Sequence, residues 1–298
     1  MENKTLSKKV LTSLLAMSCV YLGGTSAWPM AEAATLVTSA DQNITLPSTG
    51  DKTQEFSDIN KVYSGDKQVV YLLNAAGDPD RKAIFSGTST VIANNGINSK
   101  QLTALTAYDG AMVELNADLT DLSAVSSKNG VSVIAVVNTS GDNYGSVIKF
   151  NSVETKINAE AVGTATGVYN EKYSAAQFSE ATVSNITAKS QKNDAYALVN
   201  GGKTIINGTV NLKAATDIGD AMGLVGRYES AGFEWVRVGG TVTTSAESIV
   251  NIDVTSTKGR TVGILAENSG TVTVNGALKI SANAAANDGF GVWANKAK

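Results

Sequence analysis

Apolar and polar residues alternate along this chain over short stretches, as at Val113 and Leu115 around Glu114, and alternation of that kind marks strands with one face turned inward. The stretches recur. A small residue, a branched apolar residue, a variable one and then Ala, Asn or Gly follow one another in Ala104-Leu105-Thr106-Ala107, Ala135-Val136-Val137-Asn138, Gly167-Val168-Tyr169-Asn170, Ala197-Leu198-Val199-Asn200, Gly223-Leu224-Val225-Gly226, Gly263-Ile264-Leu265-Ala266 and Gly291-Val292-Trp293-Ala294. Tyr71-Leu72-Leu73-Asn74 is a looser copy. The apolar anchors at 72, 105, 136, 168, 198, 224, 264 and 292 give a period of about 31 residues.

Behind each anchor come a turn and a second strand, clearest at 204–206 and 271–274 and matched by 113–115 and 148–150. Asn-Gly steps such as Asn207-Gly208 and Asn275-Gly276 supply the sharp corner that ends it. A third short strand follows at 210–212, 156–157, 185–186 and 278–280. Each repeat is therefore three strands and three corners. One such coil has almost no interior of its own, so it must pair with the coils above and below, and about eight of them make a β-solenoid. Asn74, Asn138, Asn170 and Asn200 fall in one column, either as a hydrogen-bonded ladder or as turn residues tolerant of positive φ. Residues 34–60 depart from the repeat and are expected as a cap, with strands at 35–37 and 43–46 and a turn at 47–50; the repeats occupy 61–298. A further repeat begins at 289, which is expected of a chain that is part of a longer protein.

The first 33 residues read as an export signal: Lys4, Lys8 and Lys9 precede an apolar run at 10–22, and Ala31-Glu32-Ala33 offers the small residues of a cleavage site. Cys19 lies inside that run, so the exported chain has no cysteine and must be stable without disulfides. Removing Lys4, Lys8, Lys9, Glu2 and Glu32 from 24 basic and 27 acidic residues leaves a formal charge of −4, which argues against nucleic acid or an anionic membrane as the main partner. Few aromatics, 3 prolines and 28 glycines suit many short strands and turns.

With its long signal, cysteine-free mature part, Gly/Ala/Asn/Thr/Val composition and coils of about 31 residues, the chain resembles the passenger region of Gram-negative autotransporters, the pertactin-like parallel β-helices. The resemblance covers 61–298. It implies an all-β, right-handed parallel β-helix, exported through the periplasm to the cell surface or outer membrane, or secreted. It also implies a C-terminal membrane β-barrel, which this chain lacks, so any outer-membrane association is expected only through that missing part.

Chemistry is sparse. The chain has no histidine, and no protease, nucleotide-binding or metal-ligand signature is present, so no catalytic residue, cofactor or metal is expected. Carbohydrate-cleaving β-helices gather two or three carboxylates on one face, usually beside a basic residue or calcium. Asp109, Asp142, Asp194, Asp220 and Asp288 instead read as solvated corner residues, one per coil. The stretch 227–238 breaks the repeat and concentrates aromatics and arginines: Arg227, Tyr228, Phe233, Trp235 and Arg237 are the candidate ligand-binding residues. The same stretch also reads as an elongated hairpin, with Val236 and Val238 facing the core while Trp235 and Arg237 cover the rod. Tyr144, Tyr169, Tyr173 and Trp293 are further candidates for display, although Tyr169 and Trp293 share a column with Val199 and Leu265, which suits packing. The expected function is a non-catalytic surface adhesin presenting its faces and loops to a protein or glycan of a host or neighbouring cell. A carbohydrate-active or carbohydrate-binding β-helix, and a structural stalk for a missing effector domain, are the alternatives.

Overall fold

A computed structural model describes residues 43–45, 52–63, 70–73, 81–96, 101–140, 144–230 and 237–295. The expected export signal with Cys19, the strand at 35–37, the turn at 47–50, and Asn74 and Asp142 lie outside them. Among the described residues every regular element is a strand. Three sheets of parallel strands, one of ten strands and two of eight, run along the stack, and each complete coil contributes to all three in turn. The coil at Ser132–Thr139, Val147–Phe150 and Glu154–Ala161 is typical. The chain is a parallel β-solenoid, as the repeat predicts.

The anchor column is continuous: Leu105, Val136, Val168, Leu198, Leu224, Ile264 and Val292 pair in register from coil to coil. The looser copy is placed differently. Val70, not Leu72, pairs with Leu105, and Leu72 pairs with Ala107. A shift of two residues keeps the same side chains on the same face, so alternation alone does not distinguish the two registers. Within the segment expected as a cap, Asn43–Thr45 pairs with 71–73 and Thr53–Ser57 pairs with 82–86, so its described part is itself the first coil. Within its two strands Ile44 and Phe56 are the apolar residues, and neither follows a small residue.

The small residue before each anchor has a steric cause. A Cβ on Gly167 would lie 2.5 Å from Ile186 Cγ2, and one on Gly223 2.2 Å from Ile252 Cγ2, because the isoleucine column of the third sheet fills the interior there. Aromatic packing occupies another column. Phe56 stacks on Phe85 at 5.0 Å and Phe150 on Phe178 at 4.6 Å, with Leu115 between the pairs, all buried in the second sheet. Each stacked pair contributes about 1 kcal/mol beyond its burial.

The asparagine column is a ladder. Asn138 Nδ2 donates to Asn170 Oδ1 at 2.8 Å, and Asn170 Nδ2 donates to Asn200 Oδ1 at 2.7 Å, with all three side chains fully buried. The same amides reach sideways, Asn138 to the Ala175 carbonyl at 2.9 Å and Asn170 to the Lys203 carbonyl at 3.0 Å. Each rung thereby fastens the end of a first-sheet strand to the second-sheet strand of the next coil. None of the three has positive φ, so the tolerant-turn reading does not apply. A second ladder, Asn185, Asn211 and Asn251, lies half-exposed on the outer face of the third sheet.

Replacing Asn170 with Ala removes the central rung and leaves Asn138 Nδ2 with only the Ala175 carbonyl and Asn200 Oδ1 with only the Thr204 hydroxyl, so it is expected to lower unfolding stability by about 2 kcal/mol. Asn211→Ala, whose neighbours can turn to water, should cost about 0.5 kcal/mol. Denaturant midpoints of the two variants test this; equal, small losses would show that the inner ladder adds no net stability.

Candidate functional site

The first sheet has two unlike faces. Inward, its anchors from Leu105 to Ile264 join the main core. Outward, two adjacent columns run along the stack. One is Ile134, Thr166, Tyr196, Met222, Val262 and Phe290; the other is Val137, Tyr169, Val199, Val225, Leu265 and Trp293. From Tyr169 and Tyr196 onward these side chains form a second apolar cluster, separate from the interior, in which Val199, Val225, Val262 and Leu265 are buried against partly buried aromatic rings and Met222. A β-face turned away from its own core and still apolar is unusual enough to call for an occupant or a cover.

Charges rim this face on both sides. On one, the Arg227 guanidinium sits 5.5 Å from the Tyr169 ring centre and donates to the Tyr169 hydroxyl at 3.5 Å. On the other, Asp194, Asp220, Arg260 and Asp288 each precede a first-sheet strand and share one column. Asp194 Oδ2 accepts from the Tyr196 hydroxyl at 2.9 Å, and its Oδ1 accepts from the Asp220 amide at 2.9 Å. Asp220 repeats the pattern, taking the Arg260 amide on Oδ1 at 2.8 Å and the Arg260 guanidinium on Oδ2 at 2.6 Å. Arg260 in turn lies 5.3 Å from the Trp293 ring centre. Burial, reinforced by the Asp194 acceptor, pushes the Tyr196 hydroxyl well above the usual phenol range, so it remains a donor at every physiological pH.

The corner between the first and second sheets carries the chain's irregularity. It spans only 201–202 in one coil, 171–174 in another, and the whole of 227–240 in a third. The other two corners stay short in the same coils. Tyr144 and Tyr173 stand on this edge, 49% and 50% exposed, in neighbouring coils. Tyr173 has φ +63°, the left-handed region that costs a bulky L-residue about 1 kcal/mol where glycine or asparagine would sit without strain. Glu171 beside it is committed to the Thr139 hydroxyl and the Ser140 amide. Of the nine tyrosines, Tyr71, Tyr108, Tyr169 and Tyr196 lie on the first sheet, Tyr144 and Tyr173 on this corner, and Tyr228 in the strand leaving it.

The sequence candidates divide accordingly. The structure brings Arg227 onto Tyr169. Tyr228 and Arg237 fall in short antiparallel strands, Tyr228–Ser230 and Arg237–Gly239, so the hairpin expected at 227–238 is present. Phe233, Trp235 and Val236 lie outside the described residues. Tyr169 and Trp293 pack in the shared outer column. Asp109 occupies a turn at φ +53°. The link from Asp194 through Asp220 to Arg260 escaped the sequence, because its members are 26 and 40 positions apart and only the coil register brings them together. A shallow cleft at the corner between the third and first sheets is lined by Ser190, Thr216 and Ser256. Their hydroxyls are held by the carbonyls of Asn193 and Gly219, which gives them a structural task.

Relieving the strained corner gives a direct test of what Tyr173 is for. Tyr173→Asn is expected to raise stability by about 0.5–1 kcal/mol, read from the unfolding midpoint, since asparagine tolerates positive φ and little packing is lost. A drop in midpoint would mean that the ring is needed for the fold. Comparison with family models, curated proteins and solved structures finds no match, so the chemistry of this face and edge carries the functional reading.

Proposed function

We propose that this chain is a non-catalytic, exported β-solenoid of the autotransporter-passenger kind, acting as an adhesin at or beyond the cell surface. Its ligand-binding surface is the tyrosine-rich outer face of the first sheet with the adjoining variable corner. One observation carries this reading: the aromatic side chains are largely sorted, with four of the six phenylalanines stacked inside the second sheet and seven of the nine tyrosines on the first sheet, its corner and the strand leaving it. Tyrosine offers apolar area and a hydroxyl at low entropic cost, the combination that recognition surfaces favour, and arginine beside it adds directional donors. The strain kept at Tyr173 supports the same reading, because an exposed ring there gives nothing to the core in return. The partner class is a protein or glycan on a host or neighbouring cell.

A second reading draws on the rim. Asp194 and Asp220 stand on adjacent coils beside Arg260, with aromatic rings next to them, which is the residue set of a carbohydrate-binding or carbohydrate-cleaving β-helix. Against cleavage, the oxygens of both carboxylates are engaged by backbone amides, Tyr196 and Arg260.

Binding of the full chain to epithelial cells and to glycan arrays tests the proposal. The double variant Tyr144→Ala, Tyr173→Ala should weaken binding by at least about tenfold, the effect of losing one recognition hot spot, without lowering the unfolding midpoint. Absence of binding to either, together with polysaccharide turnover that Asp220→Asn abolishes, would replace the adhesin with the enzyme.

A further inference from the structure

We propose that Asn129 is a site of spontaneous covalent modification, where the side-chain amide is lost to the backbone nitrogen of Gly130. The chain holds five Asn-Gly steps, at 95, 129, 200, 207 and 275, and chemistry at such a step needs the glycine nitrogen to reach the asparagine carbonyl carbon. Four are held away from that approach. Gly96 N donates to Asn94 Oδ1, and Gly201 N to the Asn170 carbonyl at 2.7 Å, while the Asn200 side chain is locked in the inner ladder. Gly208 is boxed in: a Cβ there would lie 2.3 Å from the Ser179 carbonyl. Asn275 Nδ2 donates to the Thr244 carbonyl at 2.8 Å, and Gly276 N donates to Thr244 Oγ1. Asn129 and Gly130 differ. Both are exposed in a turn, Gly130 has φ +79° with open space around its Cα, and among the described residues neither takes part in a hydrogen bond.

The step balances simply. Gly130 N bonds to Asn129 Cγ, the C–N bond of the side-chain amide breaks, and ammonia leaves carrying the glycine proton. Water then opens the five-membered imide at either carbonyl, giving aspartate or isoaspartate. The product adds a negative charge to the corner at 127–131 and, as isoaspartate, one more backbone methylene, which an exposed turn can absorb.

Peptide mapping by mass spectrometry after incubating the full chain at mildly alkaline pH tests this. In the folded chain, amide-to-acid conversion at Asn129 should outpace each of the other four steps by at least about tenfold, because those must first open locally. In denaturant the five rates should draw together, and Asn129→Gln should remove the early acidic species seen on ion exchange. Conversion at Asn129 no faster than at Asn207 or Asn275, or the same ranking in denaturant as in the folded chain, would overturn the proposal.

Discussion

A single coil of about thirty residues leaves half of its backbone donors and acceptors facing the next coil and encloses too little volume to keep any side chain dry. Every other property of the molecule follows from how that deficit is met. Backbone groups pair between coils in three parallel sheets, and side chains meet their own kind above and below. A residue type that works at one level tends to work at the next, so phenylalanines stack, valines and leucines line up, and buried amides bond to other amides of the column as well as to nearby backbone carbonyls. The inner asparagine ladder is the sharpest case. An isolated buried amide at that corner would be costly. Three in register hydrogen-bond from one to the next, and Asn138 and Asn170 also bind their first-sheet strands to the coil that follows.

Stacking places the same demand on the exterior, with a different outcome. Outward side chains also form columns, and in the third sheet one of these is the asparagine ladder of 185, 211 and 251. The first sheet instead presents valine, leucine, methionine and aromatic rings between a column of aspartates with Arg260 on one side and Arg227 on the other. A scaffold that draws its stability from the interior leaves the composition of an outer face free to vary, and under the proposed function the uneven distribution of tyrosine reflects that freedom.

Much of the fold was legible because the repeat speaks eight times. The anchors, the three-strand coil and the shared column of Tyr169 and Trp293 came from pattern alone. Legibility failed where the signal rests on one or two residues. Val70 and Leu72 face the same way, so periodicity could not choose between them, and the first coil carries too few apolar residues to resemble its neighbours. Asparagine is at home both in turns and in ladders, and only coordinates with negative φ and short amide contacts separate the two. For the candidate surface, sequence drew attention to 227–238 by composition, whereas the wider site depends on register. Arg227 meets Tyr169 across 58 positions, and the corner holding Tyr144 and Tyr173 becomes a single edge only when the coils are stacked.

The fourteen residues at 227–240 leave one strand and return to the next without disturbing it: Leu198, Leu224 and Ile264 stay in register through the excursion. The free energy of closing a loop grows only with the logarithm of its length. Chain can therefore be lengthened, shortened or exchanged at this corner with little penalty to the stack beneath it, and new binding properties can arise there by insertion while the architecture is inherited intact.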